Sequence, residues 1–250
     1  MKPLRFPPRC VWLRSALVER RSWFIDELEH AGDEHLDTRY VQGYDRKARF
    51  DPTADLAILR DLGLGPASTL VDLGAGTGEL SLAAAEVCRR VVAVDVSAAM
   101  LDVVWAKGLQ RRATRLEVVR AGFLSYEHTG ERADFVYTRN ALHHLPDFWK
   151  AIALRRIARL LRSGGSLMLR DLIFSFEPEE SDRVVEAWIK AAPDRPESGW
   201  TRRELETHLR DEHSTFTWLL EPMLERAGFD IHSSTYDESK VFAAYTCARR

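Results

Sequence analysis

The fold of this chain is decided by residues 69–80, which read Thr69-Leu70-Val71-Asp72-Leu73-Gly74-Ala75-Gly76-Thr77-Gly78-Glu79-Leu80. The apolar first half predicts a buried strand, and a helical pattern begins at the last residues. The glycines between them let the backbone turn sharply and let a ligand approach main-chain N–H groups that no Cβ shields. A second apolar run, residues 91–94, ends at Asp95, whose carboxylate is placed to accept hydrogen bonds from ribose hydroxyls. The two features together predict a site for a nucleotide-like cofactor.

The spacing of the glycines bears on the kind of cofactor. A dinucleotide fingerprint, G-x-G-x-x-G/A, requires a small residue where this chain has Glu79. A carboxylate at that position would repel a diphosphate, and Asp72 adds a second negative charge that suits an amino group better than a phosphate. We therefore expect a cofactor with a ribose and a cationic amine but without phosphates. A nicotinamide-dependent oxidoreductase is the disfavoured alternative.

These residues resemble the first motif of class I S-adenosylmethionine-dependent methyltransferases, an acidic residue followed by G-x-G-x-G. The likeness is to the small-molecule enzymes of methyltransferase types 11 and 25 in particular. It continues through residues 91–97, 134–145 and 160–169 and ends at Ala227-Gly228-Phe229, and it is strongest over residues 66–173. The resemblance implies an enzyme that moves a methyl group from S-adenosylmethionine to a small-molecule acceptor.

The order of the predicted elements indicates the fold class. Strands are expected near residues 68–73, 90–95, 116–120, 133–138 and 165–172, and helices near 77–88, 97–111 and 147–162. This alternation predicts an α/β, Rossmann-like, doubly wound sheet that is mostly parallel, with helices on both faces. Two β-rich runs, 229–236 and 240–248, predict a C-terminal hairpin. The resemblance implies seven strands in total, with the last one antiparallel.

Two regions flank this core in the prediction. Residues 1–65 are expected to form an N-terminal helical extension, with one helix over 12–30 and another that begins after Pro52. Residues 66–250 form the cofactor-binding domain, in which residues 174–226 make a small helical cap insertion. The cap carries aromatic residues that would suit either an apolar acceptor pocket or ordinary core packing, namely Trp188, Trp200, Phe216 and Trp218.

The resemblance assigns a set of cofactor-binding residues: Tyr44, Asp72, Gly74, Ala75, Gly76, Asp95, Val96, Met100, Gly122, Phe123, Arg139 and Asn140. It implies that the main chain of Gly74–Gly76 cradles the methionyl part and that Tyr44 reaches the methionine carboxylate. Many relatives carry Asp where this chain has Gly122. The adenine amino group must then find a carbonyl, a water or another side chain.

Methyl transfer requires a base only if the acceptor must lose a proton. His143 and His144 follow the fourth core strand, and histidine is the natural base near neutral pH. Their side chains diverge by roughly 100° on a helical turn, so we expect one of the two to face the pocket. A structural role in capping that turn is the alternative interpretation. Asp171 and His213 are weaker candidates for the base.

Composition excludes several classes of partner. The chain has 250 residues with Lys+Arg 36 and Asp+Glu 38, and a formal net charge of -2 gives no global attraction to nucleic acid. The sequence shows no metal-ligand cluster and no apolar run long enough for a membrane span. Three dispersed cysteines fit a reducing compartment, so we expect a cytoplasmic protein, as a monomer or homodimer.

Three further interpretations stay open. The basic residues of the N-terminus loosely resemble a transit segment, although an ordinary basic helix start explains them better. The chain could also bind the cofactor without turnover, as a regulator or assembly partner. Alternatively, it could methylate RNA or protein instead of a small molecule.

Overall fold

A computed structural model describes residues 9–11 and 21–250 of the chain. The strands are β1 (Arg9–Val11), β2 (Thr69–Leu73), β3 (Arg90–Asp95), β4 (Leu116–Arg120), β5 (Ala133–Arg139), β6 (Leu161–Phe174), β7 (Thr215–Phe216), β8 (Phe229–Tyr236) and β9 (Phe242–Arg249). The helices are α1 (Asp33–Leu36), α2 (Thr38–Ala48), α3 (Thr53–Asp61), α4 (Glu79–Ala85), α5 (Ala98–Arg111), α6 (Asp147–Leu160), α7 (Ser181–Lys190), α8 (Arg202–Asp211) and α9 (Thr217–Ala227). Short 3-10 turns lie at Leu142–His144, Pro178–Glu180 and Pro196–Ser198.

The sheet has the order β1-β4-β3-β2-β5-β6-β9-β8, and β7 pairs with β6 outside this path. All pairings are parallel except those of β9, which is antiparallel to both β6 and β8. The predicted seven-stranded, mostly parallel sheet with an antiparallel C-terminal hairpin is therefore confirmed. Two short strands that the sequence did not predict, β1 and β7, extend it.

The helices pack on both faces of the sheet because neighbouring strand residues point in opposite directions. Leu70 of β2 belongs to the buried cluster that contains Leu59 of α3 and Val104 of α5. Val71, the next residue, belongs to the cluster on the other face with Leu154 of α6 and further side chains of α9. Since β2 is buried along its whole length, its apolar sequence is explained by burial on both sides.

The strand order places a crevice between β2 and β5. From β2 the chain continues to β3 and β4 on one side of the sheet, and from β5 it continues to β6 on the other. In open parallel sheets a ligand binds at such a switch point, beyond the carboxyl ends of the strands. The glycine-rich turn after β2, residues 74–78, lies at this edge. The 3-10 turn Leu142–His144 after β5, which we call the histidine turn, lies there too.

The N-terminal region departs from the prediction of a helix over residues 12–30. Residues 21–30 form turns, and the remainder of that predicted helix lies outside the described residues. Tertiary contacts explain the departure: the Phe24 ring packs 4.8 Å from that of Trp149, and the Glu27 carboxylate is bound by residues after β4. These contacts outweigh the helical spacing of a few apolar residues.

The helices that follow pack on the core sheet. Leu56 and Leu59 of α3 are buried in the same cluster as β2 and β3, so the N-terminal region and the sheet share a hydrophobic core. The predicted division of the chain at residue 65 stays a prediction.

The predicted cap segment contains α7, α8, β7 and α9 and contacts two parts of the fold. Lys47 of α2 forms an ion pair with Glu204 of α8 and lies 5.5 Å from the centre of the Trp200 ring. The His213 N–H donates to the His143 carbonyl at 2.9 Å, and Lys150 of α6 donates to the His213 carbonyl. The cap is therefore attached both to the N-terminal helices and to the histidine turn.

Across the described ranges 9–11 and 21–250, no helix combines the length and the apolar character that a membrane crossing requires.

Candidate functional site

The turn after β2 is held by main-chain hydrogen bonds. The N–H groups of Gly74 and Ala75 both donate to the Val94 carbonyl, at 2.9 and 3.0 Å, and so tie the turn to β3. Gly74 has a φ of 72°, and a Cβ on it would lie 2.3 Å from the Cβ of Ala141 after β5. Only glycine fits this close approach of two loops.

Asp95 ends β3 with its carboxylate bound to the same turn. Its two oxygens accept from the N–H of Gly76 at 2.9 Å and from the N–H of Ser97 at 2.8 Å. Burial raises the pKa of Asp95, and these two hydrogen bonds act in the opposite direction. A carboxylate has about four lone-pair sites, so Asp95 keeps acceptor capacity for the two hydroxyls of a ribose.

Two adjoining cavities open at this edge of the sheet, with volumes of about 90 Å³ and about 310 Å³. We call the smaller one the first cavity and the larger one the second cavity. Their shared lining residues are Tyr44, Gly74, Gly76, Arg139 and Asn140. The first cavity is also lined by Asp95, Val96, Met100, Gly122 and Phe123, and the second by Asp72 and Ala75. The structure thus brings together all the residues predicted for the cofactor.

The first cavity has two walls of different origin. The strand-end wall follows β2 to β5 and includes Gly74, Gly76, Asp95, Val96, Met100, Ala121, Gly122, Phe123, Arg139, Asn140, Ala141, His144 and Leu145. The N-terminal wall consists of Glu27, Ala31, His35 and Tyr44. Only Tyr44 of this second wall was predicted, because the segment that carries Glu27, Ala31 and His35 has no motif.

Asp72 lies at the floor of the second cavity and is almost completely buried. Its carboxylate accepts a 2.6 Å hydrogen bond from the Ser81 hydroxyl. Burial raises the pKa of Asp72 to about 7, against the opposing effect of the Ser81 hydrogen bond. The sequence predicted a second negative charge here, whereas a pKa of about 7 leaves part of this carboxyl group protonated at neutral pH.

A buried network holds Arg139 beside both cavities. Asp55, which is 1% exposed, accepts from the Tyr137 hydroxyl at 2.6 Å and from the Arg139 guanidinium at 3.4 Å. Arg170 forms a further ion pair with the same carboxylate. The Arg139 guanidinium also lies 4.5 Å from the centre of the Phe50 ring, in cation–π geometry. Asp55 and the Phe50 ring therefore hold the Arg139 side chain in place, and Arg139 lines both cavities.

The interpretation of Glu79 changes with the structure. Its carboxylate forms ion pairs with Lys107 at 2.6 Å and with Arg111 at 3.5 Å. Because two cations balance its charge, Glu79 would repel a diphosphate less than the sequence suggested. Glu79 alone therefore does not exclude a dinucleotide cofactor from this site, and other residues of the lining must disfavour it.

His143 does not reach either cavity. Its Nδ1 pairs with Asp171 and its Nε2 lies 3.0 Å from Oε2 of Glu212 in the cap. Burial acts to lower the pKa of His143, but the two carboxylates outweigh it and raise the pKa to about 9. Asp171 also accepts from the main-chain N–H groups of Leu142 and His143. His143 is thus a buried cation that fixes the histidine turn, and Asp171 is its partner.

His144, in contrast, lines the first cavity. Its Nδ1 is buried without a hydrogen-bond partner among the described residues, and its ring lies 5.4 Å from that of His35. Burial, then the charge of His143, lower the pKa of His144 well below 6.5. The imidazole is therefore neutral near neutral pH, which is the state that can accept a proton.

The histidine turn meets further cap residues that the sequence did not connect with it. The donor atoms of His143, His208 and Glu212 lie within 4.8 Å of one another, although the sequence indicated no metal-ligand cluster. In the structure both imidazoles pair directly with the Glu212 carboxylate, and the other nitrogen of His208 lies 2.8 Å from the Ser214 hydroxyl. These contacts form a cluster of ion-paired side chains behind His144.

The aromatic residues of the cap are divided between two roles. Trp200 lines the second cavity together with Phe242 of β9. Trp188 packs against Phe242 and His208 instead, and Phe216 stacks on Trp218 at 5.5 Å. Of the four predicted pocket candidates, Trp200 alone lies at a cavity described above.

Comparison with known proteins identifies the class of this arrangement. Residues 70–165 match the family model described as a methyltransferase domain. An uncharacterized methyltransferase of Geobacillus kaustophilus is 25% identical over 219 residues, which cover 88% of this chain and 93% of the relative. The segment from Leu70 to Gly165, which includes the glycine-rich turn, is therefore similar to the methyltransferase domain family.

Solved structures show the same fold. Magnesium protoporphyrin IX methyltransferase of Synechocystis PCC 6803, with S-adenosylhomocysteine bound, is 17% identical with a TM-score of 0.62 and covers 90% of this chain and 100% of its own. Phosphoethanolamine N-methyltransferase 2 of Haemonchus contortus is 15% identical with a TM-score of 0.65, over 90% of this chain and 61% of its own. The predicted fold and the resemblance to methyltransferases are confirmed. The S-adenosylhomocysteine of the Synechocystis enzyme is the demethylated form of the cofactor that the sequence predicts.

Proposed function

We propose that the protein transfers a methyl group from S-adenosylmethionine to a small-molecule acceptor, with His144 as the base. The observation that carries the proposal is the pair of adjoining cavities at the carboxyl ends of β2 to β5. All the residues predicted to bind the cofactor line these cavities, although they come from five separate parts of the sequence. A purely structural explanation would not require them to meet around one space.

The chemistry of the lining fits this cofactor better than a phosphate-bearing nucleotide. Asp95 offers acceptors to ribose hydroxyls, and the apolar side chains of Met100 and Phe123 suit the faces of adenine. Asp72 in the second cavity suits the methionine ammonium, and Arg139 or Tyr44 suits the methionine carboxylate. Acids predominate at the turn that would face a diphosphate, even with Glu79 neutralised by its partners.

When bound, S-adenosylmethionine supplies an electrophilic methyl group on a sulfonium. The protein's own residues then have three tasks, which are to orient the reactants, to exclude water and to accept a proton. The main chain of the glycine-rich turn and Asp95 serve orientation, because hydrogen bonds to β3 fix both of them. His144 serves proton removal, because its neutral imidazole lines the first cavity and its Nδ1 has no hydrogen-bond partner among the described residues, while charged His143 holds the turn from behind.

The second cavity limits the acceptor. Its volume of about 310 Å³ is at the lower end of the range for small-molecule sites. Phe50, Trp200 and Phe242 supply apolar surface, and the cationic Arg139 stands among them. We infer a compact acceptor whose apolar part contacts this surface and whose reacting group extends past the shared residues Tyr44 and Asn140 toward His144 in the first cavity. That group loses a proton on methylation, as a hydroxyl or an amine does.

Calorimetric titration with S-adenosylmethionine tests the cofactor part of the proposal. The wild-type protein should bind it, and Asp95→Ala should lower the affinity by about 100-fold, because two hydrogen bonds to an ionised acceptor are lost. Asp102→Ala, an exposed carboxylate on α5, is the matched control and should leave affinity unchanged. Absence of binding, or undiminished binding in Asp95→Ala, contradicts the proposal.

Release of S-adenosylhomocysteine in the presence of a metabolite panel tests turnover. A small-molecule enzyme should release it with one class of metabolite and not with RNA or protein extracts. Binding of the cofactor without release under any of these conditions would favour a regulatory or assembly role.

A further inference from the structure

The N-terminal wall contains a carboxylate at an unusual place. Gly122 follows β4 in the lining of the first cavity, close to Phe123. A Cβ built on Gly122 would lie 2.3 Å from Oε1 and 2.5 Å from the carboxyl carbon of Glu27. The carboxylate of Glu27 therefore occupies the space in which a side chain at position 122 would begin.

Two hydrogen bonds fix this carboxylate, and a third holds one of its donors in place. The main-chain N–H of Leu124 donates to its Oε1 at 2.9 Å, and the Ser125 hydroxyl lies 2.8 Å from its Oε2. Ser125 in turn accepts from the Gly122 N–H at 2.8 Å, so the group is built into the turn after β4. A residue nearly a hundred positions away in the chain thus behaves as the acidic side chain of this turn.

The segment that carries Glu27 is anchored independently of the cavity. The Trp23 ring stacks on that of Trp149 at 5.9 Å, and Phe24 packs against the same ring. The Leu28 N–H donates to the Asp26 carboxylate at 3.1 Å. Glu27 is therefore held at the cavity by its own local structure as well as by the turn it contacts.

The carboxylate has acceptor capacity to spare. Each of its oxygens accepts one described hydrogen bond, and a carboxylate has about four lone-pair sites. Burial raises the pKa of Glu27, against the hydrogen bonds from Leu124 and Ser125. A further donor on this carboxylate would stabilise its ionised form, and the amino group of adenine is such a donor.

We propose that Glu27 accepts a hydrogen bond from the exocyclic amino group of the cofactor's adenine, in place of the side chain that Gly122 lacks. The inference rests on the proposed function, because it assumes an adenosine-containing cofactor. The proposal identifies Glu27, in the N-terminal wall, as the residue that distinguishes adenine from other bases. The sequence left this contact open among a carbonyl, a water and another side chain.

The test compares two ligands that differ at the C6 substituent of the base and at the adjacent N1, which carries a hydrogen only in the 6-oxo base. S-adenosylhomocysteine carries the amino group, and S-inosylhomocysteine has a carbonyl in its place, which a carboxylate repels. The wild-type protein should prefer the adenosyl ligand by about 10- to 100-fold in calorimetry. Glu27→Ala should lose most of this preference, mainly through weaker binding of the adenosyl ligand. Glu29→Ala, an exposed acid of the same segment, should retain it.

A double variant tests whether an acidic side chain at position 122 can replace the carboxylate of Glu27. Gly122→Asp alone should be destabilised, because its Cβ would overlap the Glu27 carboxylate. Gly122→Asp combined with Glu27→Ala should relieve the overlap and restore the preference for the adenosyl ligand. If Glu27→Ala does not fold, Glu27→Gln keeps the size and one acceptor oxygen and should still reduce the preference.

The outcomes separate the two proposals. If the wild-type protein binds neither ligand, the proposed function itself is contradicted. If it binds S-adenosylhomocysteine but Glu27→Ala or Glu27→Gln keeps the full preference over S-inosylhomocysteine, the role of Glu27 is overturned and the proposed function stands.

Discussion

The two walls of the first cavity are built on different principles. The strand-end wall presents a main chain that is bonded to neighbouring strands, as at Gly74 and Ala75, and side chains at strand ends, such as Asp95. The N-terminal wall presents side chains on turns and short helices, such as Glu27 and His35, which reach the cavity from outside the sheet. If the proposed function holds, we expect the strand-end wall to decide whether the cofactor binds and the N-terminal wall to set how strongly adenine is preferred.

The largest effect is expected from a substitution that disrupts the strand-end wall itself. Gly74→Val places a branched side chain where even a Cβ would lie 2.3 Å from that of Ala141, at a φ of 72°. We expect a loss of about 2–4 kcal/mol in the free energy of unfolding and no measurable cofactor binding. Thermal unfolding and calorimetry measure the two effects.

Gly43→Ala is the matched control for this substitution. Gly43 lies inside α2 with no atom within 4 Å of its Cβ position, so alanine should stabilise the helix by about 0.5–1 kcal/mol. Normal cofactor affinity in Gly74→Val would contradict the role of the strand-end wall.

The next effect separates the two histidines of one turn. With an acceptor identified from the metabolite panel, His144→Gln should lower kcat by about 100-fold or more, while cofactor affinity stays unchanged. Because the pKa of His144 lies well below 6.5, wild-type turnover should persist as the pH falls through 6.5 and decline only below it. A decline centred at 6.5 or higher would argue against His144 as the base.

His143→Gln should act on stability instead of chemistry. Because the folded protein raises the pKa of His143 to about 9, its contribution is complete below pH 6.5 and is lost as the pH rises through 9. The free energy of unfolding of the wild type should therefore fall over this interval, by about 3 kcal/mol. The variant should be less stable at pH 6.5 and lack this slope, which denaturant titrations at several pH values measure.

The smallest expected effect concerns Asp72. Its pKa of about 7 means that the carboxyl group is neutral at pH 5.5 and becomes ionised as the pH rises. If it faces the methionine ammonium, cofactor affinity should increase by about tenfold from pH 5.5 to 7 as the charge appears. Asp72→Asn should remove this dependence, and a retained slope would assign the dependence to another group.

The contrast between the walls also explains what the sequence could predict. Short local patterns specify the strand-end wall, since the apolar runs around Asp72 and Asp95 decide where strands end and ligand-facing residues begin. Glu27 and His35 carry no such pattern, and their positions depend on packing against Trp149 and on the turn after β4. The predicted helix over 12–30 fails at residues 21–30 for the same reason.

Sequence reasoning alone does not distinguish His143 from His144 as a candidate base. The distinction comes from Asp171 on β6 and Glu212 in the cap, which are distant in the sequence and both pair closely with His143. Glu212 lies farther from His144, at 3.9 Å from its Nδ1. The sequence also does not show that Lys107 balances the charge of Glu79, because Lys107 lies on the next helix, α5. The ion-pair partners of a charged residue depend on the tertiary structure. Local sequence patterns therefore predict where such a residue lies better than they predict its charge state.

The hydrogen bond from the His213 N–H to the His143 carbonyl has a practical meaning for redesign of this enzyme. The cap, whose Trp200 lines the second cavity, is attached to the same turn that carries the proposed base His144, so we expect that the two cannot be exchanged as separate modules. A change of acceptor range by replacement of Trp200 leaves this attachment intact. A graft of the whole cap must bring its own equivalents of Glu212 and His213, or the base will lose its orientation together with the old substrate.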